Sequence, residues 1–331
     1  MRTSWHRTDT MAENPIPFYT HGFTMAPMAG VTDSAFRRIC IQLGATCLVT
    51  EMVTAAGLSR KSVKTKSMLK FHQDEKPIGV QLFGAKPEDF ARASALVSPL
   101  GFSFIDINAG CPVKRVLRSG SGSALLGDIP RLLEIVRVTK QNTDLPVTVK
   151  IRLGLTRENP VPDNIGELVA EAGACALAVH GRFRTDFFAG EADRKRMKQI
   201  SELSPLPVIA NGDSTSVEAA LKLRDDTGST GLLVGRGAWG NPWIFRGLNG
   251  GNPHPEPGEL HDTIMNQLLM MMEYIPSPQV FHIFRGHLVQ YFRGFYGAAE
   301  IRNRAVRTQS LREVDMLAAE ADIAMHTAVE E

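Results

Sequence analysis

The chain is poor in cysteine, in aromatics and in long apolar runs, and each shortage excludes something. Cys40, Cys47, Cys111 and Cys175 are the only four cysteines in 331 residues. They form no CxxC pair and have no histidine at ligand spacing, which argues against a zinc site or a disulfide scaffold and leaves no expected metal. A reducing, cytoplasmic setting is expected. No stretch is apolar for long enough to span a membrane, and residues 1–21 mix charges with Pro15 and Pro17 where a signal peptide would carry an apolar core. Neither sign of charge dominates, with 37 Lys and Arg against 35 Asp and Glu. A polyanion partner would therefore have to be read from where cations cluster, not from their sum.

What is present is a repeating unit. From Phe23 onward a short apolar run is followed by Gly, Pro and polar residues and then by a stretch at helical spacing. Eight such runs are counted: 24–26, 46–49, 78–82, 104–107, 147–151, 176–179, 207–209 and 231–234. Strands alternating with helices imply βαβ units, and eight of them before about residue 240 predict a closed (β/α)8 TIM barrel. Residues 1–22 are expected to be a poorly ordered extension, 23–246 the barrel, 247–257 a Gly/Pro-rich linker, and 258–331 a helical bundle domain.

The ends of the runs carry the chemistry. Pro27-Met28-Ala29, Gln81, Asn108, Lys150, His180, Asn211-Gly212-Asp213 and Gly235-Arg236-Gly237 all follow strands directly, so a barrel would gather them on its C-terminal face. Glycines after the seventh and eighth strands suit a phosphate-bearing cofactor, with Arg236 adding charge. Gly110 and Pro112 flank Cys111 on a tight corner followed by the basic, Gly/Ser-rich residues 114–122, expected to be a mobile loop. Cys111 is either a reactive thiol or a small buried hydrophobe. Lys150 is either an ion-paired core lysine or a Schiff-base lysine, which would imply an aldolase-like lyase. His180 is a site residue or a satisfied core histidine.

Beyond the linker, Leu260, Ile264, Leu268, Met271 and Ile275 form one helical stripe and Phe281, Phe284, Leu288, Tyr291 and Phe295 another. Arg285, Arg293, Arg302, Arg304 and Arg307 fall on the faces the stripes leave free. Acidic residues concentrate after 312, so these arginines are expected to be uncompensated and to face a polyanion.

The motifs Ala26-Pro-Met-Ala-Gly-Val-Thr-Asp33, Thr50-Glu-Met-Val53, Asp106-Ile-Asn-Ala-Gly-Cys-Pro-Val-Lys114, Val179-His-Gly-Arg182, Ile209-Ala-Asn-Gly-Asp213 and Gly235-Arg-Gly-Ala-Trp-Gly-Asn-Pro-Trp243, taken in this order, resemble the tRNA-dihydrouridine synthase family, most of all its B-type bacterial members. The resemblance implies an FMN-bound barrel followed by a helical tRNA-binding domain, with NADPH as reductant and a monomeric state expected. It implies that Pro27, Met28, Ala29, Gln81 and Lys150 line the flavin ring and that Asn211, Gly212, Asp213, Gly235 and Arg236 hold its phosphate end. His180 would lie between flavin and substrate, and Cys111 would be the proton donor. Asn108, Lys114, Arg115, Arg182 and Arg184 are implied on the tRNA side, together with Arg285, Arg293, Arg302 and Arg304. Ala109, Phe183, Arg194 and Gly286 depart from the family's usual residues. A small-molecule flavin dehydrogenase of the dihydroorotate type would share barrel, flavin and cysteine, but would have no use for the basic helices.

Overall fold

The computed structural model describes residues 15–327. Eight parallel strands, β1 (Phe23–Met25), β2 (Cys47–Val49), β3 (Ile78–Phe83), β4 (Phe104–Ala109), β5 (Val147–Arg152), β6 (Ala176–His180), β7 (Val208–Asn211) and β8 (Gly231–Val234), form the sheet. Phe23 of β1 lies opposite Leu232 of β8, and Leu48 of β2 opposite Ile78 of β3, so the eight strands close into a barrel, with the two-residue strand Val53–Thr54 also pairing with the end of β3. The expected TIM barrel is what the chain forms.

Helices return the chain between strands: α1 (Ser34–Gln42), α2 (Pro87–Val97), α3 (Ile129–Gln141), α4 (Ile165–Glu171), α5 (Arg194–Leu203) and α6 (Val217–Thr227). Several start on a side-chain cap, such as Asp33 accepting from Phe36 N–H at 2.9 Å and Ser216 from Ala219 N–H at 3.1 Å. Strand alternation separates two apolar layers. Ile105, Ile107, Val149, Ile151, Leu177 and Val179 point outward into the core shared with the helices. Phe104, Ala176, Ala178, Ile209 and Leu233 point into the barrel. Gly79 is glycine because a Cβ there would sit 2.3 Å from the Phe104 ring.

The expectation for residues 1–22 is corrected in part. Residues 1–14 lie outside the described residues, but the turn Pro17–Thr20 belongs to the barrel. Ile16, Tyr19 and Thr20 are fully buried, and the Tyr19 ring packs 4.7 Å from Phe104. Ile16 and Tyr19, with Phe18 packed against them, join the inner apolar cluster and close the bottom of a barrel that would otherwise expose its interior.

After β8 and a short helix, Ile244–Leu248, residues 249–258 contain no helix or strand. The helical region follows as α7 (Glu259–Met272), α8 (Gln279–Tyr291), α9 (Ala298–Ala305) and α10 (Leu311–Thr327). Leu260, Ile264, Leu268 and Met271 bury one stripe, and Phe281, Phe284, Leu288 and Tyr291 the other, as their spacing demands. Ala35 of α1 and Trp243 join that same apolar cluster, so the helices share their core with the barrel. No helix among the described residues is long and apolar enough to cross a membrane.

Candidate active site

The C-terminal strand ends enclose a cavity of about 430 Å³. Pro27, Met28, Ala29, Asn108, Cys111, Lys150, His180, Asn211, Gly212, Asp213, Gly235 and Arg236, all singled out in the sequence, line it. Strands β4 to β8 and the loops after β1, β2, β4, β7 and β8 contribute the lining, which is why groups about two hundred positions apart meet there.

Cys111 is held from below by a chain of directed hydrogen bonds. The buried Asp106 carboxylate accepts from Thr148 Oγ1 and from Gln81 Nε2, both at 2.6 Å. That turns Gln81 Oε1 toward Asn108, whose Nδ2 donates to it at 2.8 Å. Asn108 Oδ1 in turn accepts the N–H groups of Gly110 at 3.2 Å and Cys111 at 3.0 Å. A carboxylate can only accept, so it fixes the direction of both amides. Burial pushes the Cys111 thiol up from its ordinary pKa, against smaller opposing effects of Val113 N–H, Arg152 and Lys150. The thiol is therefore kept protonated at neutral pH.

The residues after Cys111 are not the mobile loop expected from their composition. Lys114–Leu117 and Gly122–Gly127 form helical turns, and Ser123 donates to Cys111 O through both N–H at 3.0 Å and Oγ at 2.9 Å. The serines that suggested mobility supply the bonds that pin the segment.

Among the described residues Lys150 has no carboxylate partner within ion-pair distance; its Nζ donates to Asn211 Oδ1 at 2.8 Å, and Asn211 Nδ2 donates to Leu233 O at 2.8 Å. Burial, with Arg152 adding repulsion, lowers its pKa to about 8. The simple alternative of a buried ion pair therefore does not describe it. His180 is held neutral, its pKa pushed well below the usual value by burial and then by Lys150, Arg152, Arg182 and Arg236. Arg182 Nη1 faces its Nε2 at 3.5 Å, which assigns the ring proton to Nδ1.

Lys150, Arg152 and Arg236 thus line one cavity, and the one acid lining it among the described residues, Asp213, pairs with Arg182 at 2.6 Å. A concave site with this excess of positive charge fits an anionic ligand. Two glycines shape its loop side. A Cβ on Gly237 would lie 1.9 Å from Ser214 O, so the loops after β7 and β8 touch only because position 237 has no side chain. A Cβ on Gly235 would meet only Ala26 and Met28, at 3.7 Å, and would otherwise project into the cavity.

Some expected residues stand elsewhere. Gln81 is fully buried below the cavity, with both amide ends engaged by Asp106 and Asn108. Arg182 is buried and donates to Ala189 O, Gly190 O and Asp213, so its guanidinium is used inside the protein. Arg184 is half-buried, while Lys114 and Arg115 are exposed. In the helical region Arg285 donates twice to Thr308 O and Arg302 to Phe292 O, and Arg304 pairs with Glu320 at 2.8 Å. The arginines expected to lack acidic compensation are therefore partly compensated, because α10 folds back beside α9. Arg293 and Arg307 remain exposed.

Sequence reasoning missed Arg152, Asp106 and Phe188 as site residues. Arg152 lines the cavity, donates to Gly110 O and Phe183 O at 2.9 Å, and has its pKa lowered to about 10 by burial and then by Arg182. Its place two residues after Lys150, on the same face of β5, was the available signal. Phe188 lies 5.4 Å from the Arg152 guanidinium and 5.3 Å from that of Arg236. No periodicity in its segment could have revealed that contact.

Fold and site together define a TIM-barrel enzyme with a cationic mouth and a protonated thiol at its rim. The chain belongs to the dihydrouridine synthase family, whose model matches residues 24–330. It is 38% identical over 291 residues to tRNA-dihydrouridine synthase B of Pseudomonas aeruginosa, covering 86% of this chain and 88% of that one. It is 34% identical over 296 residues to the probable tRNA-dihydrouridine synthase of Aquifex aeolicus, covering 88% and 92%. A solved histamine dehydrogenase from Rhizobium sp. 4-9 shares the fold alone, with a TM-score of 0.52 and 15% identity over 75% of this chain and 48% of its own. Membership makes the chain an oxidoreductase that forms dihydrouridine in tRNA and implies a flavin. It sets aside both the dihydroorotate-type dehydrogenase and the Schiff-base lyase.

Proposed function

We propose that the chain reduces the C5–C6 double bond of a tRNA uridine with FMN as its flavin, NADPH as the reductant and Cys111 as the proton donor. The observation that carries this reading is that Cys111, Lys150, His180 and the Gly235-Arg236-Gly237 turn line one cavity. FMN, when bound, supplies the hydride that uracil C6 must receive and is restored by NADPH. Gly235, Arg236 and Asn211 to Ser214 would hold its phosphate, with Phe188 stacked on Arg236. Lys150, fixed by Asn211, presents a positive charge that needs no rearrangement during turnover.

Reduction also requires a proton at C5. The S–H bond of Cys111 breaks as the C5–H bond forms, and the thiolate left behind is stabilised by the nearby charges of Arg152 and Lys150 before solvent reprotonates it. The raised thiol pKa suits this role, since the acid must be protonated when the base arrives. A uridine reaches such a recessed thiol only by leaving its stack, so folded tRNA should be a far better substrate than free nucleoside.

The two half-reactions test the assignment. In Cys111→Ala, oxidation of the reduced enzyme by tRNA should slow by roughly two to four orders of magnitude, with reduction by NADPH nearly unchanged. Equal slowing of both, or of neither, in stopped-flow traces would exclude Cys111 as the acid.

A further inference from the structure

The segment between β2 and β3 carries a charge imbalance that the site does not use. From Met52 to Gln73 there is no acidic residue, while Arg60, Lys61, Lys64, Lys66 and Lys70 are all present and all exposed. Among the described residues none of the five has an ion-pair partner, and the carboxylates flanking the segment are already engaged. Asp74 pairs with Arg38 at 3.1 Å, and Glu51 accepts from Gly30 N–H at 2.5 Å. Five unpaired cations this close together repel one another, a cost that a polyanion would remove.

The patch is continuous with the cavity rim. Its chain leaves the rim at Met52, which lines the cavity. On the other side, Arg92 of α2 donates to Ser59 Oγ at 3.3 Å, and a Cβ on Gly120 would lie 3.4 Å from Ala85 Cβ, just before α2. The segment that carries Lys114, Arg115 and Arg118 thus reaches the turn before α2 at Gly120, and α2 reaches the patch at Ser59. Glu88 and Asp89 in the first turn of α2 are the acids along this path.

We infer that the surface formed by Arg60, Lys61, Lys64, Lys66 and Lys70 binds the tRNA backbone, so that the barrel extends the contact expected at Lys114 and Arg115 beyond the cavity rim. This inference rests on tRNA being the substrate whose uridine enters the cavity. It also accounts for the modest charge left on the helical region, where three of the expected arginines are spent on internal partners. Phosphate contacts of this kind act over the whole molecule and carry no base specificity.

The combined variant Arg60→Ala, Lys64→Ala, Lys66→Ala, Lys70→Ala changes only exposed side chains. Its Kd for full-length tRNA, measured by filter binding, should rise about ten-fold or more, and the plot of log Kd against log salt should flatten by about one unit for each phosphate that is no longer neutralised. Arg304→Ala, which removes an arginine already paired with Glu320, should have a much smaller effect. Reduction by NADPH and turnover of a short uridine-bearing hairpin should match wild type. Wild-type tRNA affinity and salt slope in the combined variant would overturn the inference. Because binding is read without turnover, that result would differ from failure of the Cys111 assignment, which would appear only in the half-reactions.

Discussion

Gln81 accepts a 2.8 Å hydrogen bond from Asn108 while donating one of 2.6 Å to Asp106, and this pairing fixes which way the Asn108 amide points. Asn108 Oδ1 can then receive the N–H of Cys111. Asp106 is thereby a positioning residue that acts through two amides. Asp106→Asn puts a second NH2 group against Gln81 or Thr148 and leaves at least one buried donor unpaired, at about 1–3 kcal/mol. Oxidation of the reduced enzyme by tRNA should slow roughly ten- to hundred-fold, by the same free energy read as a rate, while flavin content holds. Stopped-flow traces together with the flavin absorbance ratio check both.

Gly235 and Gly237 should respond differently to the same methyl group. Gly237→Ala drives a Cβ into Ser214 O at 1.9 Å and must separate the two loops, so it should lower the melting temperature as well as flavin retention. Gly235→Ala meets nothing nearer than 3.7 Å and should leave the apoprotein as stable as wild type while weakening FMN binding. Thermal unfolding of the apoproteins and a fluorescence titration with FMN separate the two effects. Arg236→Ala should also release flavin without loss of fold.

Lys150 should set an alkaline limit. Its pKa is lowered to about 8, so the amine is charged below that pH and neutral above it. Activity that depends on the charge should be flat at neutral pH and fall above about 8, and Lys150→Arg should move that fall to higher pH whatever its absolute rate. A pH profile of tRNA reduction at saturating NADPH is the measurement.

His287 should make the protein acid-sensitive. It is buried between Phe36, Trp239 and Phe284, neither ring nitrogen has a hydrogen-bond partner among the described residues, and burial lowers its pKa to about 4. The unfolded chain binds the proton more readily, so stability is fully present above about 6.5 and is lost as pH falls toward 4, by about 3 kcal/mol at most. Asp33 Oδ2, 3.9 Å away, would soften that loss. His287→Leu should flatten the difference in urea midpoint between pH 7 and pH 4.5.

The barrel was legible in the sequence because eight apolar runs ending in glycine and polar residues record strand period and strand termination locally. The family resemblance was legible because its motifs sit at those strand ends. Asn108, Lys150, His180 and Asn211 followed from the same alternation, since an inward-facing residue at the end of its strand faces the barrel mouth. Only the tertiary structure decided which charges are free. Arg182 and Arg304 look like exposed cations in sequence, yet each finds a carboxylate through folding, Asp213 31 positions away and Glu320 16 positions away. Gln81, read as a cavity residue, is instead taken up by Asp106 and Asn108 on the neighbouring strand. Tyr19 lies in a stretch read as an extension, but it is held in the barrel by packing against Phe104, a contact 85 positions apart that no local periodicity encodes. Strand and helix are set by neighbours a few residues away, whereas the partner of a charge or an amide is set by what the closed barrel brings within about 3 Å of it.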